Sequence, residues 1–336
     1  MYEHHVRYFD VQSAALAGNP MGNPDRRVLA VLLPENFEEG ARYPTIWMLD
    51  GYMGTGRTQL NHPGALGAPF GDELLRWQRE RLLPPAIFVF PDGSTRLGGS
   101  QYVDSASCGP FMRHIVEELV PFVDASLPTI DSKSARVLAG HSSGGFGALA
   151  LAMLRPGVFG SVIVSAADSA FELSQRSTFG RACLTLARHG SVEAFLAKAL
   201  TLEARRLSED DGLLLEVLAM GSCYSPAPEL PGWCELPFNP STGEVRSEVW
   251  DRWQAWDPVS LASRHTAALA ELDHLHLDCG DDDRYFAHLG HRRISAILRR
   301  AGVAHLLTEF PGGHDGTRHR FRARFEELGR VLARVL

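Results

Sequence analysis

Residues 137–147 read Val-Leu-Ala-Gly-His-Ser-Ser-Gly-Gly-Phe-Gly, a Gly-x-Ser-x-Gly pattern between an apolar run and a helix-forming run. In that context the pattern is typical of a nucleophile elbow, a strained turn that exposes a serine between a strand and a helix. Ser142 is therefore the candidate nucleophile. Gly140 and Gly144 keep the turn free of side chains that would clash with its neighbours. A serine hydroxyl is a poor nucleophile at neutral pH, so the chain must supply a base, an orienting acid and an oxyanion site elsewhere.

Short β-rich runs alternate with helical patterns along the chain. This alternation predicts an α/β fold with a mostly parallel central sheet and helices on both faces. The helical patterns run from Phe111 to Phe122, where Pro121 should kink or end the helix, from Phe286 to Leu298, and through the amphipathic tail 317–336. The predicted strands are 28–33, 45–49, 86–90, 136–139, 161–165, 274–278 and 304–310.

One long segment, from about Ala167 to Leu272, interrupts this alternation because it contains helical patterns and no convincing strand. We interpret 167–272 as a mainly helical insertion within a single α/β domain that covers residues 1–336. An insertion between two late strands would lie over the carboxyl ends of the sheet, where α/β enzymes bind ligands, so it is a candidate lid. Trp250, Trp253 and Trp256 could line a pocket there, but helix packing is the commoner reason for such a spacing.

The candidate base is His314. It follows the last predicted strand in the stretch Pro311-Gly312-Gly313-His314, and the triad order on this kind of fold is serine, then acid, then histidine. The small glycine pair lets the histidine turn back toward the serine. Three other histidines are expected to be solvated residues of helices or strand edges, namely His291, His305 and His319.

The acid that orients His314 should follow the preceding strand. Reach into the neighbouring loop favours Asp283, with Asp282 as the alternative. Asp168, which follows an earlier strand, is a weaker candidate. The carboxylates not used in this way would cap the next helix. The acidic residues after that strand are Asp278, Asp281, Asp282 and Asp283.

An oxyanion site needs two backbone N–H donors. One follows the nucleophile and belongs to Ser143, and the other comes from an early loop at the end of a strand. The stretch Leu49-Asp50-Gly51-Tyr52 is the source, and we assign the second donor to Tyr52, with Met53 as the alternative. The glycines at positions 51–56 do not follow the order of a phosphate-binding loop.

The composition limits the partners of the chain. A net charge of -7 and a pI near 6.1 argue against nucleic-acid binding and favour a small-molecule partner. No apolar run is long enough to span a bilayer. We expect a cytoplasmic protein, and a trimmed export signal stays open. The five cysteines lack zinc-site spacing and should be free thiols, with a Cys223–Cys234 bridge as the alternative in an exported protein. The oligomeric state stays open.

These motifs together resemble the "Putative esterase" family of α/β-hydrolases, which includes esterase D (S-formylglutathione hydrolase), enterochelin and feruloyl esterases, and the mycolyltransferases. The resemblance rests on Leu49-Asp50-Gly51, the elbow, the loop from Gly280 to Asp283, and the stretch 311–314. The long insertion differs from the smaller members of the family. The resemblance implies a carboxylic ester substrate and no metal or organic cofactor. It also implies a catalytic triad and two oxyanion donors: Ser142, Asp283 and His314, with the N–H groups of Tyr52 and Ser143.

The leading expectation is a serine esterase that works through an acyl-enzyme intermediate. The first alternative is an acyltransferase, because a lid that excludes water would let an alcohol acceptor intercept the acyl-enzyme. The second alternative is a ligand-binding protein that keeps the fold without catalysis.

Overall fold

Eight strands form one sheet in the computed structural model, which describes residues 1–61, 68–201 and 206–335. A separate pair of two-residue strands is formed by β5 (Asp104–Ser105) and β6 (Gly109–Pro110). The strands of the main sheet are β1 (Val6–Gln12), β2 (Arg26–Leu32), β3 (Thr45–Leu49), β4 (Ile87–Phe90), β7 (Arg136–His141), β8 (Ser161–Ser165), β9 (His274–Gly280) and β10 (Leu306–Phe310).

The strand order is β1-β2-β4-β3-β7-β8-β9-β10. All pairings from β4 to β10 are parallel, whereas β1 with β2 and β2 with β4 are antiparallel. The prediction of a mostly parallel α/β sheet is confirmed. The seven predicted strands are all present, and β1 is an addition. Most of β1 is exposed at the edge of the sheet, so it lacks the continuous apolar run that marks a buried strand.

Both faces of the sheet are buried. In β3, Trp47 and Leu49 pack into one hydrophobic cluster, while Ile46 and Met48 pack into a second cluster on the opposite face. This division follows from the strand geometry, in which successive side chains point to opposite faces. Helices α1 (Phe70–Arg79) and α12 (Phe321–Val335) cover the second face.

The remaining helices of the described chain include a continuous helical path that passes through Pro121. A π-helical turn, His114–Leu119, precedes the proline, and the path continues to Ser126. The wider turn accommodates the missing proline N–H. Together with the two segments of that path, α2 (Phe111–Arg113) and α3 (Val120–Ser126), the remaining helices are α4 (Ser143–Leu154), α5 (Phe179–His189), α6 (Val192–Ala199), α7 (Glu209–Tyr224), α8 (Ser247–Trp256), α9 (Pro258–Arg264), α10 (Thr266–Ala270) and α11 (Ala287–Arg300).

Short 3-10 turns complete the secondary structure. They are Tyr2–His5, Arg57–Leu60, Lys133–Ala135, Arg176–Thr178, Pro231–Trp233 and Thr317–Arg320.

The segment between β8 and β9 contains α5 to α10. Its described residues, 167–201 and 206–272, include isolated bridges but no strand, and residues 202–205 lie outside the described chain. The tryptophans of α8 pack inside this segment. The ring of Trp250 lies 5.3 Å from that of Phe179, and the ring of Trp253 lies 5.4 Å from that of Tyr224. These contacts account for their spacing by helix packing.

An ion pair in the interior joins the C-terminal helix to the sheet. Arg324 of α12 donates a hydrogen bond to Asp278 of β9, and both side chains are buried. A carboxylate buried this deeply requires such a partner. The role of Asp278 is therefore structural: it attaches α12 to the sheet.

All five cysteines lie in the described ranges, and all are free thiols. The Sγ atom of Cys223 lies 3.9 Å from that of Cys108 in the interior, and no Cys223–Cys234 bridge is formed. Among the described residues, we find no helix that is both long enough and apolar enough to cross a bilayer.

Candidate active site

Ser142 lies at the tip of a sharp turn between β7 and α4. Its φ of 57° and ψ of -124° are unusual for a residue with a side chain. Two glycines make the turn sterically possible. A Cβ atom on Gly140 would overlap the carbonyl of Gly144, and a Cβ atom on Gly144 would overlap the carbonyl of Leu49. This is the geometry of a nucleophile elbow, which holds the serine hydroxyl above the carboxyl end of the sheet.

The side chains of Ser142, His314 and Asp283 come together at this turn. The Nε2 atom of His314 lies 2.9 Å from the Oγ atom of Ser142, and its Nδ1 atom lies 2.7 Å from Oδ2 of Asp283. His314 is placed by the loop after β10. That loop passes close to the end of β9, since a Cβ atom on Gly280 would overlap the carbonyl of Gly312.

The charges of the buried pair support each other. Burial by itself would raise the pKa of Asp283, but the hydrogen bond and the charge of His314, together with the Tyr285 N–H, hold that pKa below its ordinary value. Burial by itself would lower the pKa of His314, but the hydrogen bond and the charge of Asp283 outweigh it and raise that pKa. The pair therefore favours an imidazole that accepts a proton readily.

The other candidate acids lie elsewhere. Asp282 is exposed, and its N–H donates to the carbonyl of Gly312. Asp281 accepts a hydrogen bond from the Gly312 N–H at 3.2 Å, and thereby ties the two loops together. Asp168 is buried and accepts a hydrogen bond from the Ser143 hydroxyl at 3.1 Å. Of the carboxylates that the sequence offered, the one in contact with His314 is Asp283.

The backbone of Ser143 and the loop that contains Tyr52 both lie close to Ser142. Ser143 is the first residue of α4, where an N–H has no acceptor within the helix. The Tyr52 N–H makes no hydrogen bond to the described residues. Gly51 lies against the serine, since a Cβ atom added to it would be 3.7 Å from Cβ of Ser142. The Tyr52 hydroxyl anchors the loop by donating to the carbonyl of Leu97 at 2.6 Å.

Two aromatic neighbours of His314 had no assigned role from sequence. The ring of Tyr285 contacts the imidazole edge-on with centroids 4.6 Å apart, and the ring of His141 lies 4.8 Å from it. Burial, reinforced by the charge of His314, lowers the pKa of His141 to about 3, so His141 is neutral at physiological pH. The sequence offered one clue to each of these neighbours: His141 lies inside the elbow motif, and Tyr285 lies two residues after Asp283.

The expectation that His291 is solvated was wrong. His291 is fully buried on α11, and its Nε2 atom accepts a hydrogen bond from the Ala167 N–H at 3.1 Å. It lies three and seven residues before Ile294 and Leu298, so helical periodicity places it on the apolar face. His305 is half-buried and forms a hydrogen bond with the hydroxyl of Ser295. His319 is exposed, as expected.

A cavity of about 230 Å³ opens beside the serine. Residues of the segment between β8 and β9 form part of its wall, among them Asp168, Gln175 and Glu216. A second cavity of about 520 Å³ adjoins it and shares Gln175 and Glu216 as lining. Within the described chain, no group of three or more His, Cys, Asp or Glu residues is arranged to hold a metal ion.

Comparisons with known proteins agree with this architecture. The model of the family described as "Putative esterase" matches residues 22–329. Esterase Rv1288 of Mycobacterium tuberculosis is 28% identical over 177 residues, which are 52% of this chain and 34% of that protein. The matched region thus spans about a third of the length of that relative.

Two hydrolases of known structure have a similar fold. A ferulic acid esterase superimposes with a TM-score of 0.62 and 17% identity over 98% of each chain. The S-formylglutathione hydrolase of Staphylococcus aureus superimposes with a TM-score of 0.57 and 16% identity, over 98% of this chain and 99% of that one. These likenesses confirm the predicted α/β-hydrolase fold.

Proposed function

The chain belongs to the "Putative esterase" family, and we propose that it is a carboxylic ester hydrolase with Ser142 as its nucleophile, His314 as its general base and Asp283 as its orienting acid. The observation that supports this assignment is the pair of hydrogen bonds made by one imidazole. His314 contacts the Ser142 hydroxyl at 2.9 Å through Nε2 and the Asp283 carboxylate at 2.7 Å through Nδ1. A serine, a base and an acid in this arrangement can activate a hydroxyl at neutral pH.

In the proposed mechanism, the Ser142 oxygen attacks the carbonyl carbon of the ester while Nε2 of His314 takes the hydroxyl proton. The negative charge that develops on the carbonyl oxygen is held by the N–H groups of Tyr52 and Ser143. Asp283 stabilises the imidazolium. His314 then gives its proton to the leaving alkoxide, and an acyl group remains on Ser142.

Deacylation repeats these steps with water as the nucleophile. His314 takes a proton from water, the hydroxide attacks the acyl carbonyl, and the carboxylic acid leaves as Ser142 recovers its proton. Each oxyanion donor of this kind is worth about a hundredfold to a thousandfold in rate. Donors on the backbone need little reorganisation when the negative charge develops.

We assign the segment 167–272 the role of a lid. Its residues Asp168, Gln175 and Glu216 line the cavity beside Ser142, and Tyr52 of the early loop lines the same cavity. A wall of this kind sets which esters fit. Membership of this family favours small-molecule esters as substrates, and the lid would select among them by shape and charge.

The proposal is tested by replacing the nucleophile. Ser142→Ala should lower turnover of p-nitrophenyl acetate by about a millionfold in kcat, and His314→Ala by a similar factor, because the triad acts as a unit. Ser241→Ala, at an exposed serine, is the matched control and should keep full activity. Thermal unfolding of each variant separates loss of catalysis from loss of folding. Turnover by Ser142→Ala within a few-fold of the parent would contradict the assignment.

A further inference from the structure

Glu216 faces the cavity beside the candidate nucleophile. The middle of α7 places it on the wall of the 230 Å³ cavity that contains Ser142 and His314, and also on the wall of the adjoining 520 Å³ cavity. Its neighbours in sequence, Leu215 and Val217, are buried. Across residues 1–61, 68–201 and 206–335, nothing forms a hydrogen bond or an ion pair with its carboxyl group. The side chain is half-buried and faces the cavity, so the acceptor sites of its carboxylate are open to a ligand.

The positive charges around the cavity are already matched by other carboxylates. Arg181 pairs with Asp210 at 2.6 Å and with Glu209 at 3.1 Å. Arg284 pairs with Asp315 at 3.1 Å at the rim. Glu216 therefore forms no ion pair with the described side chains, and Asp168, which lines the same cavity, is a second carboxyl group.

The environment keeps Glu216 poised between its two protonation states. Burial, reinforced by the charge of Asp168, raises the pKa of Glu216 to about 7, while the charges of His314 and Arg284 act in the opposite direction. A cation that entered the cavity would favour the ionised form, because an opposite charge lowers the pKa of a carboxyl group. The desolvation that is unfavourable without a ligand would then be offset on binding.

Two tyrosines line the same cavities as Glu216. Tyr52 and Tyr285 belong to both walls, on the side where the candidate oxyanion site and His314 are found. A carboxylate in a cavity lined by tyrosine rings suits an ammonium group, which is attracted by the negative charge and by aromatic rings. The Tyr285 ring already binds one cation, since the guanidinium of Arg284 lies 5.0 Å from its centroid. Neutral apolar groups gain nothing from the carboxylate.

We propose that Glu216 is a specificity-determining residue that selects esters with a positively charged amine in the part of the substrate lying against α7. This inference rests on the proposed function, since it assumes that the ester is cleaved at Ser142. Glu216 takes no part in the bond changes. It acts by binding the cationic group while the carbonyl carbon lies at the serine.

The test compares each cationic ester with a neutral ester of the same shape. Acetylcholine is paired with the acetate ester in which a tert-butyl group replaces the trimethylammonium group, which varies the charge on the alcohol side. The p-nitrophenyl ester of a trimethylammonio-butyrate is paired with its tert-butyl counterpart, which varies the charge on the acyl side. The measured quantity is the ratio of kcat/KM for the cationic ester to that for its neutral partner.

Glu216→Gln should lower this ratio by about tenfold in at least one pair, the loss expected for one charge-assisted contact. Glu248→Gln, at an exposed position of α8, removes the same charge far from the cavity and should leave both ratios unchanged. An unchanged ratio in both pairs for Glu216→Gln would overturn the proposal, and so would an equal fall in Glu248→Gln.

A binding measurement separates this inference from the proposed function. Calorimetry compares Ser142→Ala with the double variant that carries both Ser142→Ala and Glu216→Gln. The ligands are choline and the primary amide of trimethylammonio-butyrate, two cations that contain no ester. At least one of them should bind Ser142→Ala about tenfold more tightly than it binds the double variant.

The two proposals then fail in different ways. If Ser142→Ala still cleaved esters, the nucleophile would be misassigned, while the affinities of the two cations would still decide the role of Glu216. Equal affinity of the single and the double variant for both cations would refute the role of Glu216 and leave the triad untouched.

Discussion

At the scale of single residues, four aspartates within six positions have different roles because their surroundings differ. Asp278 is buried against Arg324, Asp281 ties two loops together, Asp282 is exposed, and Asp283 contacts His314. The difference arises from the direction in which each side chain leaves the end of β9. The loop beyond Gly280 turns Asp283 inward, and only there does it meet an imidazole.

The proposed role of Asp283 gives a prediction whose control is the adjacent aspartate. Asp283→Asn should lower kcat for p-nitrophenyl acetate by about ten-thousandfold, because the amide no longer holds the imidazole in the productive tautomer. Asp282→Asn should stay within a few-fold of the parent, since Asp282 is exposed. Similar losses in the two variants would contradict the assignment.

The pH profile provides a second readout of the same pair. The pKa of His314 lies above its ordinary value of 6.5, and only the neutral imidazole accepts the serine proton. In the parent, kcat/KM should therefore fall as the pH decreases through that raised pKa. Asp283→Asn removes the interaction that raises the pKa, so the residual activity should persist to lower pH. A purely structural role for Asp283 would leave the midpoint unchanged.

The sequence points to some of these residues and not to others. Ser142, His314 and Asp283 follow from motif, position after a strand and chain order, and the structure brings the three together. Glu216 could not be selected from sequence, because it lies among apolar residues of a helix and no motif marks it. Its significance depends on a cavity that exists only after α7 packs beside the elbow.

At the scale of elements, the elbow depends on close contact between β7, α4 and β3. Gly140 and Gly144 stand where any side chain would overlap backbone carbonyl groups. Because this crowding requires glycine at both positions, the elbow leaves a Gly-x-Ser-x-Gly pattern in the sequence. That pattern allowed the strand before the elbow and the helix after it to be predicted. The exposed edge strand β1 could not be predicted in this way, because a half-solvated strand leaves a weaker apolar pattern.

Gly140→Ala should destabilise the protein by about 2 kcal/mol or more, because the added Cβ atom meets the backbone of Gly144, which cannot move without distorting the elbow. Activity toward p-nitrophenyl acetate should fall with it. Gly180→Ala is the matched control in α5, where a Cβ atom meets nothing within 4 Å. That change should stabilise the protein by about 0.5 kcal/mol. Urea unfolding measures both values, and equal stability of the two variants would show that the elbow tolerates a side chain.

At the scale of the whole molecule, the candidate site is assembled from parts that are distant in the chain. Ser142 and His314 are 172 residues apart, and Glu216 comes from the helical segment between β8 and β9. Parallel strands bring these parts together because their carboxyl ends meet at one edge of the sheet. The alternation of strands and helices therefore allowed the fold to be predicted, whereas the shape of the cavity depends on how α5 to α10 pack.

Covalent labelling is the sharpest test of whether the folded chain activates the hydroxyl of Ser142. We predict that a fluorophosphonate probe adds one label to the native protein, that peptide mapping finds it on Ser142, and that labelling disappears in Ser142→Ala and in urea. Labelling of another residue, or undiminished labelling of Ser142→Ala, would show that Ser142 is not the activated nucleophile.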